Sequence, residues 1–134
     1  MTIFKLLILT SLVGGVAMML VRPDETAAAD KSARVLRHIV LYKFKDTMSP
    51  AQVLEVVDAF SALPGKIDSV IGFEHGTNVS QEQKSEGFTH CFYVTFRDDA
   101  GLAAYLKHPA HDAYVQIVRD RREKVIVFDY WTAP

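Results

Sequence analysis

The spacing of apolar residues changes several times along this chain, and each change marks an element. Residues 34–44 alternate with a period of two and are rich in β-branched and aromatic types, which predicts a strand. One face holds Leu36, His38, Val40, Tyr42 and Phe44. The other holds Val35, Ile39 and Leu41, interrupted by Arg37 and Lys43. A strand that is largely apolar on both faces is expected to be covered on both. Ser49 followed by Pro50 reads as a helix start, a hydroxyl cap before a proline at the first helical position. Val53, Val56, Val57, Phe60 and Leu63 then recur at helical spacing until Pro64-Gly65 stops them.

Residues 67–77 predict a second strand, with Gly72 and Gly76 as bulge candidates. Residues 78–87 are polar and read as a surface loop. Residues 88–96 predict a third strand with Phe88, His90, Phe92, Val94 and Phe96 on one face. Asp98 or Asp99 caps a short helix through Leu102, Tyr105 and Leu106, which ends before Pro109 because the residue preceding a proline is pushed out of helical geometry. A helix is expected over residues 111–122. Arg119, Arg121 and Arg122 would fall in its last turn, where cations suit the helix dipole. Residues 124–131 predict the final strand.

The order β-α-β-β-α-β is the split βαβ, ferredoxin-like arrangement of an α+β domain. Helices on one face of such a sheet leave the other face bare. Here that face would still be apolar, and a large exposed apolar sheet is rarely tolerated in a monomer. The expectation is a homodimer in which two sheets pack face to face as a dimeric α+β barrel.

The N-terminal stretch has a different texture. Residues 6–21 are almost uncharged, follow Lys5, and are shorter than the ~20 residues of a comfortable membrane span. Ala27, Ala28 and Ala29 come after them, completing the pattern of a secretory signal. The charged break Arg22-Pro23-Asp24-Glu25 also suits an uncleaved anchor. Residues 1–33 are therefore expected to be a signal peptide or membrane anchor plus linker, and residues 34–134 the domain. The protein is expected to be exported, periplasmic or secreted, with membrane attachment through residues 1–21 as the alternative.

The 134 residues leave room for one domain, and a formal net charge of −1 excludes any electrostatic case for nucleic acid. The single cysteine, Cys91, can form neither an internal disulfide nor a cysteine-based zinc site.

Four segments carry a resemblance: RHIVLYKFK at residues 37–45, EGFTHCFYVTF at 86–96, HPAH at 108–111 and VFDY at 127–130. In this order, over this element pattern, they resemble the stress-responsive A/B-barrel (Dabb) family across nearly all of the chain after residue 33. The resemblance implies a dimeric α+β barrel and says less about activity, since fold does not determine function. A polyketide cyclase of plants in that family implies functional positions at His38, His90, Tyr105 and His111, the last as principal catalytic histidine. A tyrosine on its first helix is matched here by Phe60, so one hydroxyl is missing.

These residues define the candidate site. His111 is a candidate general base, as a neutral imidazole accepts a proton near pH 7. Tyr105 would orient it or hydrogen-bond an enolate oxygen. His38, His90 and Phe60 are assigned to a ligand pocket. The structural alternative makes His38 and His90 core residues and His111 a helix cap. Zinc is not expected, as no HExxH motif is present and Pro109 breaks the helix between His108 and His111. No cofactor is expected. Two readings stand. The favoured one is an exported protein of unassigned activity that binds a small apolar or aromatic molecule in a cavity between sheet and helices. The other is a lyase, isomerase or cyclase using His111 with Tyr105.

Overall fold

The structure, a computed structural model, describes residues 34–133; the export or anchor segment and linker expected at residues 1–33 lie outside the described residues. Seven elements follow in order: β1 (Leu36–Phe44), α1 (Pro50–Ser61), β2 (Val70–Thr77), β3 (His90–Phe96), α2 (Asp99–Leu106), α3 (Pro109–Val118) and β4 (Arg122–Trp131). The strands form one antiparallel sheet in the order β2-β3-β1-β4, the ferredoxin-like α+β arrangement.

Local chemistry explains the element ends. Ser49 caps α1 through a full capping box: its hydroxyl accepts from Gln52 N–H at 3.2 Å, and the Gln52 side chain accepts from Ser49 N–H at 2.9 Å. Asp98 caps α2 by accepting from Gly101 N–H at 2.8 Å. The cap of α3 is His108, whose Nδ1 accepts from Ala110 N–H at 3.1 Å, and Pro109 occupies the first turn. This corrects the capping alternative for His111, which sits inside the first turn. It also moves the helix start forward from residue 111.

The far end of α3 departs from expectation as well. The helix stops at Val118, and its last turn carries no basic residue. Arg121 instead pairs with Glu55 at 2.6 Å and donates to the Gln52 carbonyl at 3.0 Å, tying the α3–β4 turn to α1. Arg122 begins β4. Tertiary partners of Arg121 and the strand pairing of Arg122 with Phe44, rather than the helix dipole, account for the two positions.

One face of β1 is buried without interruption: Leu36, His38, Val40, Tyr42 and Phe44. It packs with Phe92, Val94 and Phe96 of β3 against Val56, Phe60, Tyr105, Tyr114 and Val118 of the helices. The opposite face carries Ile39, Leu41, Tyr93, Ile126 and Phe128, placed together by the pairings Ile39↔Tyr93, Ile39↔Phe128 and Leu41↔Ile126. Phe128 is 58% exposed on that face, so an apolar surface is left bare in a single chain.

Candidate functional site

β1 and β4 carry the polar centre of the molecule. Their register sets His38 opposite Asp129 on the helix-facing side. The two side chains meet, His38 Nδ1 to Asp129 Oδ1, at 2.6 Å. The His38 ring is buried, whereas Asp129 is partly exposed on an edge strand. A carboxylate on Nδ1 fixes the ring's orientation and leaves Nε2 as the nitrogen free for other chemistry.

Tyr105 reaches the same place from α2, its ring edge-on to His38 at 5.8 Å between centroids. His111, from the first turn of α3, lies 4.6 Å from Tyr105. Together with Asp129 these side chains line a cavity of about 220 Å³, roofed by α2 and α3 and floored by β1 and β4. Phe60 closes its inner end. It stacks on Phe92 at 4.2 Å and 12° and leans on Tyr114 at 4.7 Å. Val127, which is 53% exposed, lines the side along β4.

Burial governs the proton affinities. It pushes the His111 imidazole below its ordinary value, aided by nearby His38 and opposed by Asp112 and the Leu106 carbonyl. His111 Nδ1 is shut off from solvent without a partner of hydrogen-bonding geometry. Burial raises the Tyr105 hydroxyl well above an ordinary phenol, with Tyr42 adding to the effect, so it keeps its proton at neutral pH. The arrangement thus holds an acceptor, a donor and a carboxylate-bound imidazole around one space.

His90 does not join this group. It shares the sheet face of His38 but lies four residues along β3 from Val94, the residue opposite His38. At ~3.3 Å per residue that is about 13 Å away. It packs edge-on to Phe44 at 5.1 Å, with Thr89 Oγ1 2.8 Å from its Nδ1. It lines a different, apolar pocket with His75, Met48 and Val53. Burial, with His75 contributing, lowers its proton affinity too. Of the residues assigned to one pocket, His38, Phe60, Tyr105 and His111 come together and His90 does not. Asp129 was missed. Its only signal lay in the VFDY segment, a carboxylate directly after the apolar run Val125 to Phe128. Among the described residues, no group of three or more histidine, cysteine or acidic side chains gathers as a metal site.

With this geometry in hand, relatives can be compared. The model of the Stress responsive A/B Barrel Domain matches residues 36–132. The chain belongs to this A/B-barrel family. Stress-response A/B barrel domain-containing protein HS1 of Arabidopsis thaliana is 35% identical to it over 95 residues, covering 71% of this chain and 87% of that protein. Olivetolic acid cyclase of Cannabis sativa is 34% identical over 95 residues, covering 71% of this chain and 94% of the cyclase. A dimeric ferredoxin-like protein of unknown function from Thermobifida fusca superposes with a TM-score of 0.63 at 25% identity, over 72% of this chain and 90% of that one. The A/B-barrel domain therefore has relatives that are dimeric and one that is a cyclase. The ferredoxin-like sheet seen here is the family's fold.

Proposed function

We propose that this A/B-barrel domain binds a small carbonyl compound in the His38–Tyr105–His111 cavity and moves a proton at the adjacent carbon, with His111 as general base. One observation carries the reading: two imidazoles, one held by Asp129 at 2.6 Å, and a protonated tyrosine surround a single cavity.

Each group has a task. His111, kept neutral by burial, accepts the proton from the carbon beside the carbonyl. The electron pair moves onto the carbonyl oxygen as an enolate. Tyr105, which retains its proton, donates a hydrogen bond to that oxygen. His38, oriented by Asp129, stands beside Tyr105 to relay a proton through Nε2. The enolate collapses by reprotonation, an isomerisation or exchange, or by attack on a second carbonyl, a condensation. A relative named as a cyclase supports this class of chemistry. The cavity of about 220 Å³ is below the ~300–1,000 Å³ of drug-sized sites, which favours a small substrate.

The second reading, a non-catalytic binder, is favoured by the aromatic plug of Phe60, Phe92 and Tyr114 at the cavity's inner end. Proton NMR in D2O separates the two. Wild-type protein should wash deuterium into the carbon beside the carbonyl of small ketones, and His111→Ala and Tyr105→Phe should not. Saturable binding without exchange in the wild type would leave only the binder.

We also propose a homodimer through the bare face of Ile39, Leu41, Ile126 and Phe128, a reading supported by the dimeric state of a relative. Sedimentation of a chain starting at residue 31 tests it, and a stable monomer at micromolar concentration would refute it. Export is proposed from the apolar stretch at residues 6–21. N-terminal sequencing of the mature protein should begin near Asp30, and full-length chain in the soluble cytoplasm would refute that.

A further inference from the structure

One end of the cavity contains a cation that the proposed proton transfer does not use. Arg122 lines it beside Tyr42 and Tyr114. Its position results from a break in register. Lys43 pairs with Lys124, but Phe44 pairs with Arg122, so one residue of β4 bulges out. Continued regular pairing would set Glu123 opposite Phe44, on the buried face. The bulge instead turns the guanidinium toward the cavity and leaves Glu123 to pair with half-buried Lys43 at 3.1 Å. Bulges that re-aim a side chain are frequent beside functional sites.

Arg122 lies over the Tyr42 ring at 6.0 Å. Among the described residues no carboxylate is within ion-pairing reach of it. The Tyr114 hydroxyl donates to the Tyr42 hydroxyl at 2.9 Å, which leaves the Tyr42 proton free to be donated in turn. A guanidinium without a counter-ion and a hydroxyl donor therefore address one end of a largely apolar cavity. That is the donor set that recognises a carboxylate. The proton-transfer groups stand at the other end. Tyr42 is four residues from His38 along β1, and at ~3.3 Å per residue the two ends are about 13 Å apart at the backbone.

We propose that Arg122 and Tyr42 form a carboxylate subsite, and that the substrate is a short, extended oxo-acid whose carbonyl lies several carbons from its carboxylate. Val125 and Val127 line the wall between the two ends and suit its aliphatic linker. This rests on the cavity proposed above as the site of proton transfer, and it narrows the substrate class of that site.

The test uses 5-oxohexanoate and its neutral counterpart 5-oxohexanamide, titrated into the wild-type protein by calorimetry. The carboxylate should bind about 10- to 100-fold more tightly, the span that hydrogen bonds to a charged group supply. Arg122→Leu should abolish that preference, and Arg122→Lys should restore part of it. Thermal melting identifies any variant that fails to fold. The wild-type comparison of acid with amide needs no variant. Equal binding of acid and amide, or failure of both to bind, overturns the subsite. Carboxylate preference without deuterium exchange upholds the subsite and overturns the reaction. Exchange of neutral ketones without carboxylate preference does the reverse.

Discussion

Replacing His111 with alanine separates catalysis from architecture, because the neighbouring histidine bears the structural role. His108 caps α3 by accepting from Ala110 N–H, while His111 lies one turn inside with a buried Nδ1 that finds no partner. The His111 ring contacts Tyr105 at 4.6 Å, an aromatic contact worth ~0.5–1.5 kcal/mol. Against that loss, deleting a buried unpaired nitrogen removes a desolvation cost of ~1–3 kcal/mol. Alanine is also the best helix former, by up to ~0.7 kcal/mol over ordinary residues. Even at the unfavourable end of these ranges His111→Ala should lose no more than about 0.5 kcal/mol. At ~4–8 °C per kcal/mol for a domain of this size, its melting temperature should fall by no more than about 4 °C. Deuterium exchange into a bound ketone should fall ~10²–10⁴-fold, as expected for loss of a general base. His108→Ala should behave oppositely, losing ~0.5–2 kcal/mol of stability with exchange per folded molecule unchanged. Circular dichroism melts and NMR exchange rates on the two variants form a crossed test. A large fall in melting temperature for His111→Ala, with exchange intact, would refute the reasoning.

Four further outcomes follow from the structure. Asp129→Asn removes the carboxylate that holds His38 while preserving its shape, so exchange should drop by at least about tenfold with little change in melting; unchanged exchange would remove Asp129 and His38 from the mechanism. The His111 base is active when neutral and its proton affinity is lowered, so the acid limb of the exchange–pH profile should have its midpoint below the ordinary imidazole value of 6.5. His90 and His111 are both lowered on folding, so the unfolded chain binds more protons just below pH 6.5, and stability measured by denaturant titration should decline as pH falls through that region. Ser49→Ala breaks the α1 capping box and should cost about 1 kcal/mol, read as a melting temperature lower by ~4–8 °C.

What could be read without the structure was local. The two-faced alternation of β1 and the Ser49-Pro50 start each depend on neighbours within a few residues and appear where their chemistry puts them, while α1 ends at Ser61, a little before the Pro64-Gly65 pair expected to stop it. Features set by register between distant segments were out of reach. His38 and Asp129 are 91 residues apart in sequence and meet because β4 pairs beside β1 in one register. His90 shares a face with His38, but alternation reports the face and not the distance along the strand, so it was grouped with a pocket it does not line. Arg122 was read as part of a helix because three arginines after an apolar helical stretch fit the dipole rule. The chain turns at Arg121 instead, since Arg121 finds Glu55 and the Gln52 carbonyl on α1. In the HPAH segment the proline at the first helical position points to His108 as the cap, but the same proline also ends the preceding helix, and histidine is an uncommon cap, so the signal is ambiguous in sequence.

The central claim is that His38 and His111 share one ligand cavity from which His75 and His90 are excluded. Long-range 1H–15N NMR of the four imidazoles during titration with 5-oxohexanoate reads this directly. The account predicts that the His38 and His111 ring nitrogens shift together and saturate at one ligand concentration, while those of His75 and His90 stay in place. Shifts confined to His75 and His90, or no saturable shift at His38 and His111, would contradict it.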